Sequence, residues 1–220
     1  MADNQDKQQE IEARFASIAR SKTFKHILDA RGLRGKKVLD IGCSHGEFLA
    51  HFGQGSAGLT IMEREAAYGQ ARGLDVRLGN IEEQDIPVRP EEKFDAIFAN
   101  NILEHMYGPY AFLLRLRGFL AKDGVAVIGV PCVPKLVSLW HFRKFRGSLA
   151  VSHINFFTRD TLIKTIERAG WRVHSARSFH FGPAWLDLML DPIAPHFYVT
   201  ASPDPQFVYD KHQTLKLTDE

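Results

Sequence analysis

Apolar residues in this chain gather in short, nearly unbroken runs, and stretches of mixed polarity separate them. The runs are Val38–Ile41, Ala57–Ile61, Val76–Leu78, Phe94–Ala99 and Val125–Val130. A strand that is apolar on both faces belongs inside a sheet covered from both sides, which is the habit of parallel sheets. Between the runs, Phe48–Phe52, Glu63–Arg72 and Tyr110–Leu120 carry helical spacing. Strands that alternate with helices predict an α/β architecture. Lys122-Asp123-Gly124 forms a turn that sets up the fifth run, and Pro131 stops it.

The flanks read differently. Residues 1–10 are polar and predict disorder. Residues 11–31 are helical, with Ile11, Phe15, Ile18 and Ala19, then Phe24, Ile27 and Leu28, on a repeating face; Gly32 and Gly35 end that region. Residues 132–152 are irregular, basic and aromatic. A helix follows over 158–169, with Thr158 as its cap, Asp160 in its first turn and Gly170 just past its end. Trp171–Ala176 and Phe197–Ala201 predict two closing strands, and 202–220, with Pro203 and Pro205, a loose tail.

Composition narrows the class. The chain has 220 residues, 45% hydrophobic and 25% charged, with a net charge of +2. That suits one α/β domain with embellishments and gives no case for a nucleic-acid partner. Cys43 and Cys132 sit in apolar contexts, which is no disulfide framework, so a reducing cytoplasm is expected. No apolar run reaches membrane-spanning length, so no integral membrane association is expected, and the acidic, polar start does not resemble a secretory signal.

The chemistry concentrates in Val38-Leu39-Asp40-Ile41-Gly42-Cys43-Ser44-His45-Gly46-Glu47-Phe48-Leu49. It predicts a buried strand, a tight small-residue turn and a helix N-terminus with unpaired N–H groups. Asp40 places a carboxylate at the strand's end, which would repel a pyrophosphate and attract a cation. The dinucleotide pattern G-x-G-x-x-G fails as well, because Ser44 and Glu47 occupy its second and third glycine positions. A nucleoside cofactor carrying positive charge is the better expectation. A second anchor is Phe94-Asp95-Ala96-Ile97-Phe98-Ala99-Asn100-Asn101-Ile102-Leu103-Glu104-His105, followed by Phe119-Leu120-Ala121-Lys122-Asp123-Gly124.

With these motifs the chain resembles the class I S-adenosylmethionine-dependent methyltransferases of the small-molecule type, over roughly residues 36–201. The resemblance implies a Rossmann-like, doubly wound sheet of seven strands, mostly parallel with a terminal antiparallel hairpin. A helical cap over 1–35, a lid-like insertion over 133–152 and the tail over 202–220 would surround that domain. It implies S-adenosyl-L-methionine as cofactor, over the carboxyl ends of the first strands. Asp40, Gly42, Cys43, Ser44 and Gly46 would form the loop around its methionine part. Asn100 would lie near the methionine carboxylate and amine, with Asn80 and Ile81 at the adenine.

The chain departs from the family pattern at three places. Ser44 replaces a middle glycine, and serine accepts positive φ poorly, which predicts a slightly altered loop. Thr60 stands where the family has a ribose-binding acid; Glu63, a turn later, is the candidate substitute. Asn80 replaces the acid that reads the adenine amine, and its side-chain oxygen can accept the same hydrogen bond. These departures predict weaker cofactor binding or a shifted geometry.

His105 and His153 are the candidate bases for a hydroxyl acceptor, each also readable as a structural residue: His105 at the rim, His153 as a loop anchor. No histidine spacing indicates a metal, so none is expected. Residues 133–149 mix aromatics with Lys135, Arg143, Lys144 and Arg146. This favours a small-molecule acceptor with an apolar part and a negative charge, such as a glycan or nucleotide-sugar precursor, methylated at oxygen. A membrane-surface role for that segment and a plain packed helix are the other readings. A catalytically silent methyltransferase-like binding or scaffold protein is the alternative for the whole chain. Methylation of RNA or protein is a third possibility, disfavoured by the modest charge.

Overall fold

The computed structural model describes residues 2–83, 86–134, 150–178 and 184–208. Its centre is a seven-stranded sheet of β1 (Val38–Ile41), β2 (Ala57–Thr60), β3 (Val76–Leu78), β4 (Phe94–Asn100), β5 (Leu120–Pro131), β6 (Trp171–Arg177) and β7 (His196–Pro203), in the order β3-β2-β1-β4-β5-β7-β6. β1 to β5 pair in parallel, and β7 runs antiparallel to both β5 and β6. Core clusters on both faces of the central strands explain the continuous apolar runs. Leu39, Ile41, Ile97 and Ile128 pack into the cluster on one face, and Val38, Ala96, Phe98 and Val127 into the cluster on the other. The chain order reverses between β1 and β4, so a crevice opens at the carboxyl ends of the neighbouring strands.

Helices cover both faces. α2 (Lys22–Ala30), capped by the Ser21 hydroxyl, buries Phe24, Ile27 and Leu28. The Phe24 ring packs edge-on against Phe48, Phe52 and Phe98, which locks α2 to the sheet. α3 (Glu63–Ala71) follows β2, and α4 (Pro109–Leu116) follows β4 with Pro109 at its first position. α5 (Arg159–Arg168) starts in a reciprocal capping box between Thr158 and Thr161, and Gly170 past its end has φ +80°. The Trp171 indole donates to the Leu113 carbonyl (3.0 Å) and so ties β6 to α4.

Several elements differ from the sequence expectation. Residues 2–10 extend α1 (Ala2–Arg20) instead of lying disordered. They contain no glycine or proline and include three glutamines with one alanine, one lysine and one glutamate, so a helix anchored further along propagates through them. The anchors are buried Phe15 and Glu12, which accepts from the Tyr68 hydroxyl. Expected helix 48–52 shrinks to a 3-10 turn, Leu49–His51. Gly53 follows at once, donates to the Lys36 carbonyl (2.7 Å) and lies so close to the Gly35 backbone that a longer helix has no room. The expected turn at 122–124 becomes a bulge within β5, with Asp123 at φ +64° and a register shift opposite Phe94.

The far end also differs. α6 (Ala184–Leu190) lies between β6 and β7, where no element is expected. Residues 202–208 are held rather than loose: β7 runs to Pro203, Asp204 donates its amide to the Gly170 carbonyl, and Arg117 stacks 4.8 Å from the Phe207 ring. Most of the lid-like stretch, 135–149, and the tail beyond 208 lie outside the described residues.

Candidate active site

A cleft of about 390 Å³ opens at the carboxyl ends of β1 and β2. One wall is the loop after β1. Gly42 and Cys43 donate their amides to the Leu59 carbonyl, both at 2.9 Å, which folds the loop back over β2. Gly42 (φ +71°) and Gly46 (φ +94°) carry left-handed backbone, and so does Ser44 at φ +50°. Ser44 therefore takes up left-handed backbone despite its side chain. Its hydroxyl donates to Glu65 (3.1 Å) and its oxygen accepts from Arg14 of α1 (3.3 Å), bonds that help offset the strained conformation. Arg14 also pairs with buried Glu47 at 2.9 Å, so α1 rests against the outer side of this loop.

Gly42, Ser44, Thr60, Asn80, Ile81 and His105 line the cleft; Asp40, Cys43, Gly46, Glu63, Asn100 and His153 do not. Asp40 is buried beneath the loop. Burial and the neighbouring charge of Glu47 push its carboxyl well above the usual carboxylate range, and one of its oxygens accepts no hydrogen bond. Cys43 packs over Gly58, where any Cβ would meet its sulfur at 2.5 Å, and burial raises its thiol pKa. Asn100 turns toward Gly129 and Tyr198, on the far side of β4. The Asn80 side-chain oxygen accepts the Glu82 amide (3.0 Å) and keeps one lone pair for a ligand.

Glu65 is the residue that sequence reasoning missed. Glu63, the expected substitute acid, is exposed on the first turn of α3 and stays out of the cleft. Glu65 lines it. Its two oxygens accept from the hydroxyls of Ser44 and Thr60, so three side chains from three elements form one acidic corner. A usable signal existed in helical phase. α3 starts at Glu63 with Met62 as its cap, so Glu65 is the third residue of the helix, the position whose side chain folds back over the preceding strand.

At the opposite rim, Glu104, His105 and His153 converge, and each offers a ligating atom within 4.8 Å of the others. Glu104 is 1% exposed, and neither carboxylate oxygen accepts a hydrogen bond. Burial pushes its pKa up to about 7. The histidine rings meet edge to face, 4.9 Å apart. Further along the same strand ends, His196 bonds the Asn101 side chain (2.8 Å) and lies over Tyr198, whose phenol burial pushes up to about 12.

Residues 10–176 match the model of a family described as a methyltransferase domain. The chain belongs to this methyltransferase family. Among curated relatives, ubiquinone biosynthesis O-methyltransferase of Actinobacillus pleuropneumoniae serotype 5b is 27% identical over 190 residues, spanning 72% of this chain and 76% of that one. A Mesorhizobium loti S-adenosylmethionine-dependent methyltransferase shares the fold at a TM-score of 0.61 and 17% identity, over 84% of this chain and 99% of that one. Burkholderia thailandensis 1,6-didemethyltoxoflavin-N1-methyltransferase, solved with its acceptor and S-adenosylhomocysteine, superposes at a TM-score of 0.57 and 23% identity, over 92% of this chain and 83% of that one.

The protein is thus a class I S-adenosylmethionine-dependent methyltransferase, with the seven-stranded sheet of that class. The donor set fits the cofactor. The acidic corner at Glu65, on the wall of the cleft, suits the diol of a ribose. Among the described residues no helix is long and apolar enough to cross a membrane.

Proposed function

We propose that this methyltransferase moves the methyl group to a hydroxyl oxygen of a small molecule, with Glu65 binding the cofactor ribose and His105 facing the acceptor. The observation that carries this reading is the state of His105. Its Nδ1 lies 2.9 Å from the Ser152 carbonyl, an oxygen that can only accept, so Nδ1 holds the ring proton and Nε2 is left basic at the edge of the cleft. The cofactor supplies an electrophilic methyl on a sulfonium, whose departure as a neutral thioether needs no acid. What the protein must add is alignment of the reacting atoms, worth about 7–11 kcal/mol, and removal of the hydroxyl proton, worth roughly 10²–10⁴-fold. An amine acceptor needs no base of this kind. The resemblance to a curated O-methyltransferase supports the same choice.

The preference for a glycan or nucleotide-sugar precursor rests on Lys135, Arg143, Lys144 and Arg146, which fall outside the described residues. The N-terminal helices act as a cap, held by Arg14 against the cofactor loop. Both cysteines are free and buried, which supports a reducing, cytoplasmic setting. The test is a mass-shift screen with S-adenosylmethionine against catechols, nucleotide-linked sugars and primary amines. A methyl ether as product, with kcat for that acceptor falling by roughly 10²-fold or more in His105→Ala, supports the reading. Methylation of amines alone, or an undiminished His105→Ala, overturns it.

A further inference from the structure

The Glu104–His105–His153 group holds more than a base requires. One carboxylate oxygen of Glu104 lies 3.8 Å from Nε2 of His105 and 3.9 Å from Nε2 of His153. Those separations are too long for hydrogen bonds, and neither Glu104 oxygen accepts one from elsewhere. Since His105 spends its proton on the Ser152 carbonyl, its Nε2 turns a lone pair toward another acceptor. Lone pairs facing each other across a buried gap call for a positive charge between them.

We propose that Glu104, His105 and His153 bind a divalent transition metal of the zinc class, leaving its fourth position open toward the cleft. A two-histidine, one-carboxylate set is a known catalytic zinc pattern, in which three protein ligands leave one site for water or substrate. Zinc bonds of about 2.1 Å at tetrahedral angles place ligand atoms about 3.4 Å apart, so the two Glu104–histidine separations need to close by about half an ångström, and the histidine nitrogens, which lie within 4.8 Å, by at most about 1.4 Å. The outer supports are in place. His105 donates its other ring nitrogen to a backbone carbonyl, the usual second partner of a ligating histidine. The Glu104 carbonyl accepts the amides of Ile154 and Asn155, both at 3.0 Å, and the Asn155 side chain donates to the Met106 carbonyl (2.6 Å). Those bonds clamp the segment carrying His153 onto the turn carrying Glu104 and His105.

The role of the ion rests on the hydroxyl-acceptor reading. The acceptor oxygen occupies the open position, loses its proton to solvent as its pKa falls, and its electron pair forms the new C–O bond while the C–S bond electrons leave with the thioether sulfur. His105 then acts as a ligand and not as the base itself. The site's existence does not depend on that reading, so the two can fail separately.

The experiment uses the full chain without an affinity tag, stripped with chelator and titrated with Co²⁺ and then Zn²⁺ alone. The expected result is one saturable site per chain, with a tetrahedral-type cobalt spectrum that zinc displaces. Glu104→Gln, which keeps the side-chain shape, and His153→Asn should each weaken binding by about tenfold or more, with the cobalt band lost. Glu63→Gln should leave it unchanged. The absence of a saturable cobalt band, or an identical band in Glu104→Gln, overturns the metal site and leaves His105 as a direct base. A bound metal in a protein that methylates only amines overturns the hydroxyl reading instead.

Discussion

Glu65 and Glu63 stand two residues apart at the start of one helix, and a single pair of variants separates their roles. The Glu65 carboxylate accepts from Ser44 on one oxygen and from Thr60 on the other. Each oxygen carries two lone-pair sites, so each keeps one for a ribose hydroxyl. Hydrogen bonds to a charged group contribute about 1.5–3 kcal/mol each. Two such bonds set an upper range of about 3–6 kcal/mol, but the Ser44 and Thr60 hydroxyls, once released, can turn to the ligand and recover part of it. A net loss of about 2–3 kcal/mol corresponds to cofactor binding about 30- to 150-fold weaker in Glu65→Ala. Glu65→Gln keeps the shape and loses the charge, and should fall between that variant and the parent. Glu63 is exposed, and its removal touches only a favourable interaction with the helix terminus, so Glu63→Ala should bind within about twofold of the parent. Calorimetric titration with S-adenosylhomocysteine measures all three, and thermal melts confirm that each variant is folded. If Glu65→Ala binds like the parent, or Glu63→Ala is the weaker of the two, the ribose assignment is wrong.

Two further outcomes follow from the same geometry. A Cβ on Gly42 would sit 1.9 Å from Cδ1 of Ile102 and require φ +71° of an L-residue, so Gly42→Ala should lose about 1–3 kcal/mol in urea melts; adding Ile102→Ala should recover the steric part and leave the backbone part. Burial raises Glu104 from 4.5 to about 7, so the folded state favours its proton, and in chelator its contribution to stability is intact below pH 4.5 and declines as pH rises toward about 7. The full decline amounts to about 3 kcal/mol, and Glu104→Gln should flatten it; an equal decline in that variant between pH 4.5 and 8 would remove Glu104 as its source.

The fold was legible where local and global requirements coincide. Val38–Ile41, Ala57–Ile61 and Phe94–Ala99 are nearly unbroken apolar runs because both faces of the central sheet are covered, and the covering is what the sequence run records. Thr158 and Gly170 marked α5 because capping and left-handed backbone are demands on single residues. Elements shaped by distant partners were not legible. α1 gains its first half by propagation from contacts at Glu12, Arg14 and Phe15, and the 3-10 turn after the cofactor loop is short because Gly53 abuts Gly35.

The candidate site divides along the same line. Its backbone part, the turn from Gly42 to Gly46, is a local conformation that small residues announce. Ser44 shows the limit of that signal, since a hydroxyl anchored by Glu65 and Arg14 holds a conformation that composition argues against. Its charged parts depend on helical phase and on loop return. Thr60 stands where an acid is expected, and the carboxylate that its hydroxyl meets comes from the third residue of the next helix, set by where α3 begins. Glu104 and His105 are neighbours in sequence, but their chemistry is decided by His153, brought back by hydrogen bonds from Ile154 and Asn155 to the Glu104 carbonyl. A carboxylate buried without a hydrogen bond is costly in any fold. Protonation relieves that cost up to a pH of about 7, and a cation held between the carboxylate and the histidine nitrogens at 3.8 and 3.9 Å would relieve it above that pH.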